Sequence, residues 1–487
     1  MDYLSNRDLN WEKNFYGISI LFFLIFLLLS LARNNSFSTL QDLAYYNHAI
    51  WYTTQGKILY TTISTQGFNT LGNHMMPILL LITPFYYLLP SAGTLLFFQS
   101  LALVLASIPI FKFSREHLKS TFLGFLVGLA YLCHPTIWYN NLNDFHVTPF
   151  GAVFASFSFY YLSKKEYIKS LPFILLLLLC KEDLILVGIT FGIYILWVQK
   201  NRILGMVTSL TSAIYFILTI KVFMPFFSRD GFNSENFYLE GRYEYLGKNI
   251  SEVVSTIITN PLMVISNVVT IQKLLYLFTL FLPGMFLSLL SPGIILIVAP
   301  IFAVNLLSTY YLQNLIITQY SMVIVPFIYF GAVVFIKGFS KEKIRKLCMA
   351  LLLFSVMTNL AYGPPPQGIV WKMDLGFDSS YKHIRFLPDS RVDTVKEFID
   401  VIPPESSVLA SPNLLVHIPS RETMFATGVN SIFVEENNVE FILLDTDMYI
   451  ERKFPARINN LIELTSTSNY ELLENKSGYV FMKKIKE

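Results

Sequence analysis

The sequence predicts a polytopic α-helical membrane protein followed by a small α/β domain, and three observations carry that reading. Of the 487 residues, 54% are apolar and 14% are charged, whereas a soluble domain is about 25% charged. The apolar residues gather into long runs: 17–31, 123–139, 171–180 with 184–197, 203–227, 274–290, 293–307, 323–336 and 347–360. Several approach the roughly 20 residues that cross a hydrocarbon core of about 30 Å. After residue 360 the composition turns charged, punctuated by Pro and Gly.

The first run follows Arg7 and Lys13 and ends in Ser30-Leu-Ala-Arg-Asn-Asn-Ser-Phe37 with no small-residue cleavage site. It reads as a membrane helix retained in the protein rather than a signal peptide. Lys and Arg in short loops mark the cytoplasmic side. They cluster at Lys112/Arg115/Lys119, Lys164/Lys165/Lys169, Lys200/Arg202 and Lys337–Lys346. An even number of crossings between clusters is required if all are cytoplasmic. Two fit between Lys119 and Lys164, two short ones around Lys181–Asp183, and four (203–227, 274–290, 293–311, 320–337) after Arg202. A last crossing, 344–360, delivers the tail outside. The stretch 75–110 is too long for one helix, and Pro77, Pro84, Pro90 and Pro109 divide it into one crossing plus short pieces. The expected total is 11–13 transmembrane helices.

The transmembrane domain is thus expected over 1–360, with a first outer loop at 33–74 and a second at 228–267. Residues 361–379, stiffened by Pro364, Pro365 and Pro366, form a linker to an extracytoplasmic α/β domain at 380–487. Strands are expected at Val408–Ala410, Ser431–Val434, Phe441–Leu444 and Tyr479–Met482, with helical stretches at Asp393–Phe398 and Ile458–Leu464. Cys133, Cys180 and Cys348 lie in or beside apolar runs and read as small hydrophobes. The net charge of +3 sums over both sides of a membrane. Basic residues at loop ends are explained by orientation, so nucleic-acid binding has no support.

Polar residues near membrane depth are expensive and therefore informative. Asp42, followed by Tyr45, Tyr46, Asn47 and His48, can act as a general base or as a surface charge at a helix start. Asn73 and His74 stand before Met75-Met76-Pro77, where His74 can hold a phosphate, donate a hydrogen bond or cap a helix. Asp144 and His146, in the polar turn Asn140–His146, are candidates for a site wall or for a divalent cation. Lys181, Glu182 and Asp183 interrupt an apolar run; Lys181 can neutralise a phosphate while Glu182 or Asp183 orients it or holds a metal. Arg242 suits bidentate phosphate contact and adjoins Tyr243.

Asp42-Leu-Ala-Tyr-Tyr-Asn-His-Ala-Ile-Trp51, Asn69–Ser91, Asn140–Phe150, Cys180–Ile195, Phe237–Asn249 and Phe286–Ser308 together resemble the DUF2079 family of predicted polytopic membrane proteins. That family is similar to the GT-C superfamily of membrane glycosyltransferases, which take sugars from polyprenyl-phosphate carriers. The resemblance implies a GT-C-like fold and a catalytic acid in the first outer loop, where Asp42 stands alone rather than in an Asp-Glu pair. It implies an inverting transfer at the outer membrane face. There Asp42 and His74 are the catalytic candidates, and Asn73, Asp144, His146, Lys181, Glu182, Asp183, Arg242 and Tyr243 the substrate- or phosphate-binding ones. Asp144, His146, Glu182 and Asp183 would serve a divalent cation if one is used. Membrane lipid and a polyprenyl-phosphate-linked sugar are the expected partners. A transporter of a polar or lipid-linked substrate, or a non-catalytic lipid-binding protein, are the alternatives. The charge pattern predicts a cytoplasmic N-terminus and an extracytoplasmic C-terminus. Alkaline phosphatase fused after Glu487 should therefore be active, and a fusion after Lys200 inactive; the opposite pattern would reverse the assigned orientation.

Overall fold

The computed structural model describes residues 6–63, 69–228, 239, 241–365, 384–427, 437–447 and 469–485. The chain forms two compact units that do not follow chain order. One comprises 1–27, 71–79 and 97–373, the other 28–70, 80–96 and 374–487. The expected strand Ser431–Val434, the expected helix Ile458–Leu464 and most of the 361–379 linker lie outside the described residues.

Among the described residues, five helices are long and apolar enough to cross a membrane: Asp8–Asn35, Ala92–Leu118, Arg202–Phe227, Gln319–Ile336 and Lys341–Tyr362. Two bent pairs, Thr121–Leu132 with Pro135–Leu142 (47°) and Pro261–Val268 with Ile271–Gly284 (59°), raise the number to seven if each is one span. Other expected crossings fall on shorter apolar helices such as Tyr167–Leu178 and Pro292–Leu307. The 274–290 run breaks because Met285 and Phe286 take left-handed φ values of 54° and 57° between two 3₁₀ turns. The 75–110 stretch resolves into a 3₁₀ turn at Pro77–Leu81, a short helix at Thr83–Leu88, and the start of the long Ala92–Leu118 span.

Within the first unit, small residues set the closest helix approach. A Cβ on Gly205 would lie 2.5 Å from the Leu196 backbone nitrogen, and one on Gly192 would meet Ser209. The helices Glu182–Trp197 and Arg202–Leu218 therefore cross with their backbones nearly in contact, the small-residue packing favoured where lipid supplies no hydrophobic drive. A polar seam also ties the turn at 140–146 to the Ala92–Leu105 helix. Gln99 Nε2 donates to the Asn140 and Asp144 carbonyls (3.0 and 3.3 Å), and its Oε1 accepts from His146 N at 2.7 Å. Ser100 Oγ donates to Asn141 Oδ1 at 2.9 Å.

The second unit holds a five-stranded sheet of order β2-β1-β3-β5-β4, where β1 is Val408–Ala410, β2 Met424–Ala426, β3 Phe441–Asp445, β4 Tyr470–Lys476 and β5 Tyr479–Lys484. β1 runs parallel to β2 and β3, and these three are buried along their length, as parallel strands covered on both faces are. β5 pairs antiparallel with β3 and β4. Ser477 and Gly478, at φ 56° and 77°, make the tight β4–β5 turn, a pair of positive φ values matched to the strand twist. Leu409, Phe425, Val439, Ile442, Leu444 and Met482 form the core. Arg391 on the helix Ser390–Val401 bonds buried Asp445 at the end of β3 (2.7 Å), which also accepts from Asn413 Nδ2 at 2.9 Å.

The helix Gln41–Thr54 belongs to this same unit and docks beside β2. Tyr52 Oη donates to the Glu422 carbonyl, and Met424 N donates to Thr62 Oγ1 at 3.1 Å. His48, 1% exposed, lies 2.8 Å through Nε2 from the Arg421 carbonyl and 3.0 Å through Nδ1 from Thr61 Oγ1. A carbonyl can only accept, so Nε2 carries the proton and Nδ1 accepts from the threonine. Burial lowers the His48 pKa to about 4. Because the folded value lies below the unfolded one, the stability of the neutral ring is full above pH 6.5 and falls as pH drops toward 4. The loss is about 3 kcal/mol from this group. Thermal unfolding followed between pH 7 and 4 should show a flatter decline for His48→Gln than for the wild type.

Candidate functional site

The segment from Gly72 to Ile78 is fixed by its backbone before its side chains matter. A Cβ on Gly72 would lie 2.7 Å from the Phe227 carbonyl oxygen and the Ser228 nitrogen, so glycine alone permits that approach. Ser228 Oγ donates to the Gly72 carbonyl at 3.2 Å. Ile78 N donates to the Leu179 carbonyl at 3.1 Å, bringing the segment against the break between the helices Tyr167–Leu178 and Glu182–Trp197.

At that break Lys181 is extended (φ −167°, ψ 154°) and Glu182 and Asp183 occupy the first helical turn, where carboxylates favour the positive end of the helix dipole. Lys181 and Glu182 are only 8% and 7% exposed, so both charges require close partners. Glu182 takes two: His74 Nδ1 lies 2.8 Å from Oε1, and Met75 N donates to Oε2 at 3.0 Å. Lys181 Nζ instead pairs with Asp183 Oδ2 at 3.3 Å. The two acids left equivalent by the sequence thus divide: Glu182 holds the His74 segment and Asp183 holds Lys181.

Lys181 Nζ also lies 5.5 Å from the ring centre of Tyr320, and the Arg242 guanidinium lies 5.9 Å from that same ring and 4.9 Å from Tyr310. Two cations thus share one aromatic ring, a contact attractive to each through the ring quadrupole. Arg242 and Tyr243 are clamped onto the polar segment 308–321. Thr309 N donates to the Arg242 carbonyl at 2.7 Å, Arg242 Nη1 reaches Gln313 Oε1 at 3.4 Å, and Gln313 Nε2 donates to Tyr243 Oη at 3.3 Å. Tyr243 Oη in turn donates to the Val304 carbonyl at 2.8 Å. Burial raises the Tyr243 pKa above its ordinary value, which keeps the phenol a donor.

The first unit therefore gathers His74, Lys181, Glu182, Asp183, Arg242 and Tyr243, with Asn73 adjoining His74. Asp144 and His146 are buried (2% and 6% exposed) in the seam with Gln99. Among the described residues, no three His, Cys, Asp or Glu side chains come together as a metal group. Asp42 is exposed in the first turn of its helix in the second unit. Tyr310, Gln313 and Tyr320 were not singled out from the sequence. Their signal is the polar interruption Ser308–Ser321 between two apolar runs, easily taken for an ordinary loop.

The architecture is that of a polytopic membrane protein, and its fold is similar to that of two solved structures of one protein. ArnT from Cupriavidus metallidurans in the apo state is similar at 10% identity, with a TM-score of 0.56 and 98% of both chains covered. The same protein bound to undecaprenyl phosphate is similar at 13% identity and a TM-score of 0.55, again over 98% of both chains. The chain belongs to the DUF2079 family of predicted membrane proteins, whose match covers residues 33–481. No curated protein sequence matches it.

Removal of the Glu182 carboxylate leaves Met75 N and His74 without their buried acceptor. Glu182→Ala should cost about 2–4 kcal/mol of stability, read as a lowered unfolding temperature in detergent. Glu397→Ala, at an exposed position of the helix Ser390–Val401, should leave it unchanged; equal behaviour of the two would remove the anchoring role.

Proposed function

We propose that the protein is an inverting glycosyltransferase that moves a sugar from a polyprenyl-phosphate carrier to an acceptor hydroxyl at the outer membrane face. The observation that carries this reading is the pair of cations, Lys181 and Arg242, that share the Tyr320 ring. A polyprenyl phosphate leaving group gains negative charge as its bond to the sugar breaks, and preorganised cations stabilise that charge most where water is scarce. The similarity in fold to a protein bound to undecaprenyl phosphate supports the same donor class.

In this mechanism the acceptor oxygen attacks the anomeric carbon from the face opposite the phosphate. The acceptor proton passes to a general base, the role that the sequence reading gives to Asp42, and the electron pair of the breaking C–O bond goes to the phosphate oxygen. Lys181, held by Asp183, and Arg242, held by Gln313, take up that oxygen's charge. His74, oriented by Glu182, is the further catalytic candidate, and Asn73 and Tyr243 are candidates for contact with the donor. The donor carries its sugar already activated, so no nucleotide is needed.

The test is transfer of labelled sugar from a panel of polyprenyl-phosphate donors to total membrane acceptors by purified protein. Asp42→Asn should lower transfer by about 10²–10⁴-fold, and Lys181→Met by about 10²–10³-fold with weaker donor binding. Wild-type transfer by a folded Asp42→Asn protein would remove the base. Failure of every donor to bind would overturn the reaction class in favour of transport.

A further inference from the structure

The second unit contains a cavity of about 600 Å³ that the proposed transfer chemistry does not use. Its volume falls within the about 300–1,000 Å³ typical of small-molecule sites. The wall is formed by Trp51, Tyr86, Asn34, Asn47, His417 and Ser420 with apolar neighbours, and no Asp, Glu, Lys or Arg side chain lines it. We propose that this cavity binds a neutral polyhydroxylated ligand, a sugar unit of a glycan.

The lining chemistry selects that class. Trp51 and Tyr86 supply aromatic surface for the apolar C–H faces of a pyranose, and the amides and hydroxyl match its vicinal hydroxyls. A phosphate, sulfate or carboxylate would meet no cationic side chain in the lining. Even His417 brings none: burial pushes its pKa down to about 3, and its ring stacks on Phe37 with centres 3.6 Å apart. The polar groups are also bonded to one another. The Tyr86 hydroxyl bonds the Ser420 and Asn47 side chains, and Asn47 Nδ2 donates to Ser420 Oγ at 3.4 Å. Asn47 is 7% exposed, and its Oδ1 has no hydrogen-bond partner among the described residues; neither has His417 Nε2. A buried acceptor without a donor is costly, and a small side-chain shift toward the cavity offers both atoms to ligand hydroxyls. The helix Gln41–Thr54 presents Asn47 and Trp51 one turn apart, on one face.

Binding is measured on the full chain in detergent by titration calorimetry, without any lipid-linked donor, so the result is independent of whether transfer occurs. Maltotriose, mannotriose and chitotriose are the neutral probes, and a sulfated trisaccharide is the anionic one. Saturable binding of at least one neutral probe is expected, weakened about tenfold in Trp51→Ala through loss of the aromatic face. Ser91→Trp, placed at an exposed lining position, should block binding without disturbing the buried wall, and reads the site even if Trp51→Ala fails to fold. No saturable neutral binding, tighter binding of the sulfated probe, or wild-type affinity in folded Ser91→Trp would each overturn the proposal.

Discussion

A carboxylate buried at the start of a helix must be satisfied, and in this protein the satisfaction of Glu182 organises the surroundings. Its two oxygens take His74 and the Met75 backbone nitrogen, so the Gly72–Ile78 segment cannot drift along the 178–182 break. With Glu182 turned toward that segment, the direct ion pair of Lys181 is with Asp183, and its ammonium also meets the Tyr320 ring. Arg242 meets the same ring from the clamped 241–243 turn. The Lys181 side of the cationic wall thus follows from how the two acids divide their partners, while Gln313 and Thr309 hold the Arg242 side. Buried ion pairs add little net stability against apolar packing, so the arrangement is better understood as a means of fixing positions than as a source of stability.

The second unit follows a different logic. Its parallel strands bury both faces, and the helix Gln41–Thr54 attaches to it mainly through carbonyl acceptors at 421–424. Main-chain acceptors of this kind constrain shape without demanding particular side chains in the 421–424 segment. His48, Tyr52 and Thr62 supply the donors, which is why this aromatic, polar helix is buried over most of its length despite its mixed composition.

Much of this was legible in the sequence and some was not, for physical reasons. Long apolar runs report membrane helices because backbone polar groups must be satisfied internally in lipid, and the short β-like runs at 408–410, 441–444 and 479–482 fall on strands. β2, three residues long, and β4, a polar edge strand, carry too little pattern to be seen. The break at Met285–Phe286 was hidden because left-handed φ values were adopted by residues with no turn preference. The resemblance pointed to Lys181 and Arg242 as partners in one site, but their meeting over Tyr320 depends on chain segments about 60–140 residues apart. Which of Glu182 and Asp183 serves Lys181 was equally invisible, since both lie within reach along the chain and the choice is made by His74 from elsewhere.

The attachment of His48 to Arg421 spans 373 residues, and this separation sets a timetable for biogenesis. At about 5–20 residues per second of synthesis, the early helix leaves the ribosome roughly 20–75 seconds before its acceptor exists. During that interval His48, Tyr52 and Thr62 must stay solvated or be sheltered by lipid or chaperone. A nascent chain stalled between residues 362 and 421 therefore carries the membrane helices described above beside an aromatic segment with no place to dock, a recognisable mark for quality-control machinery.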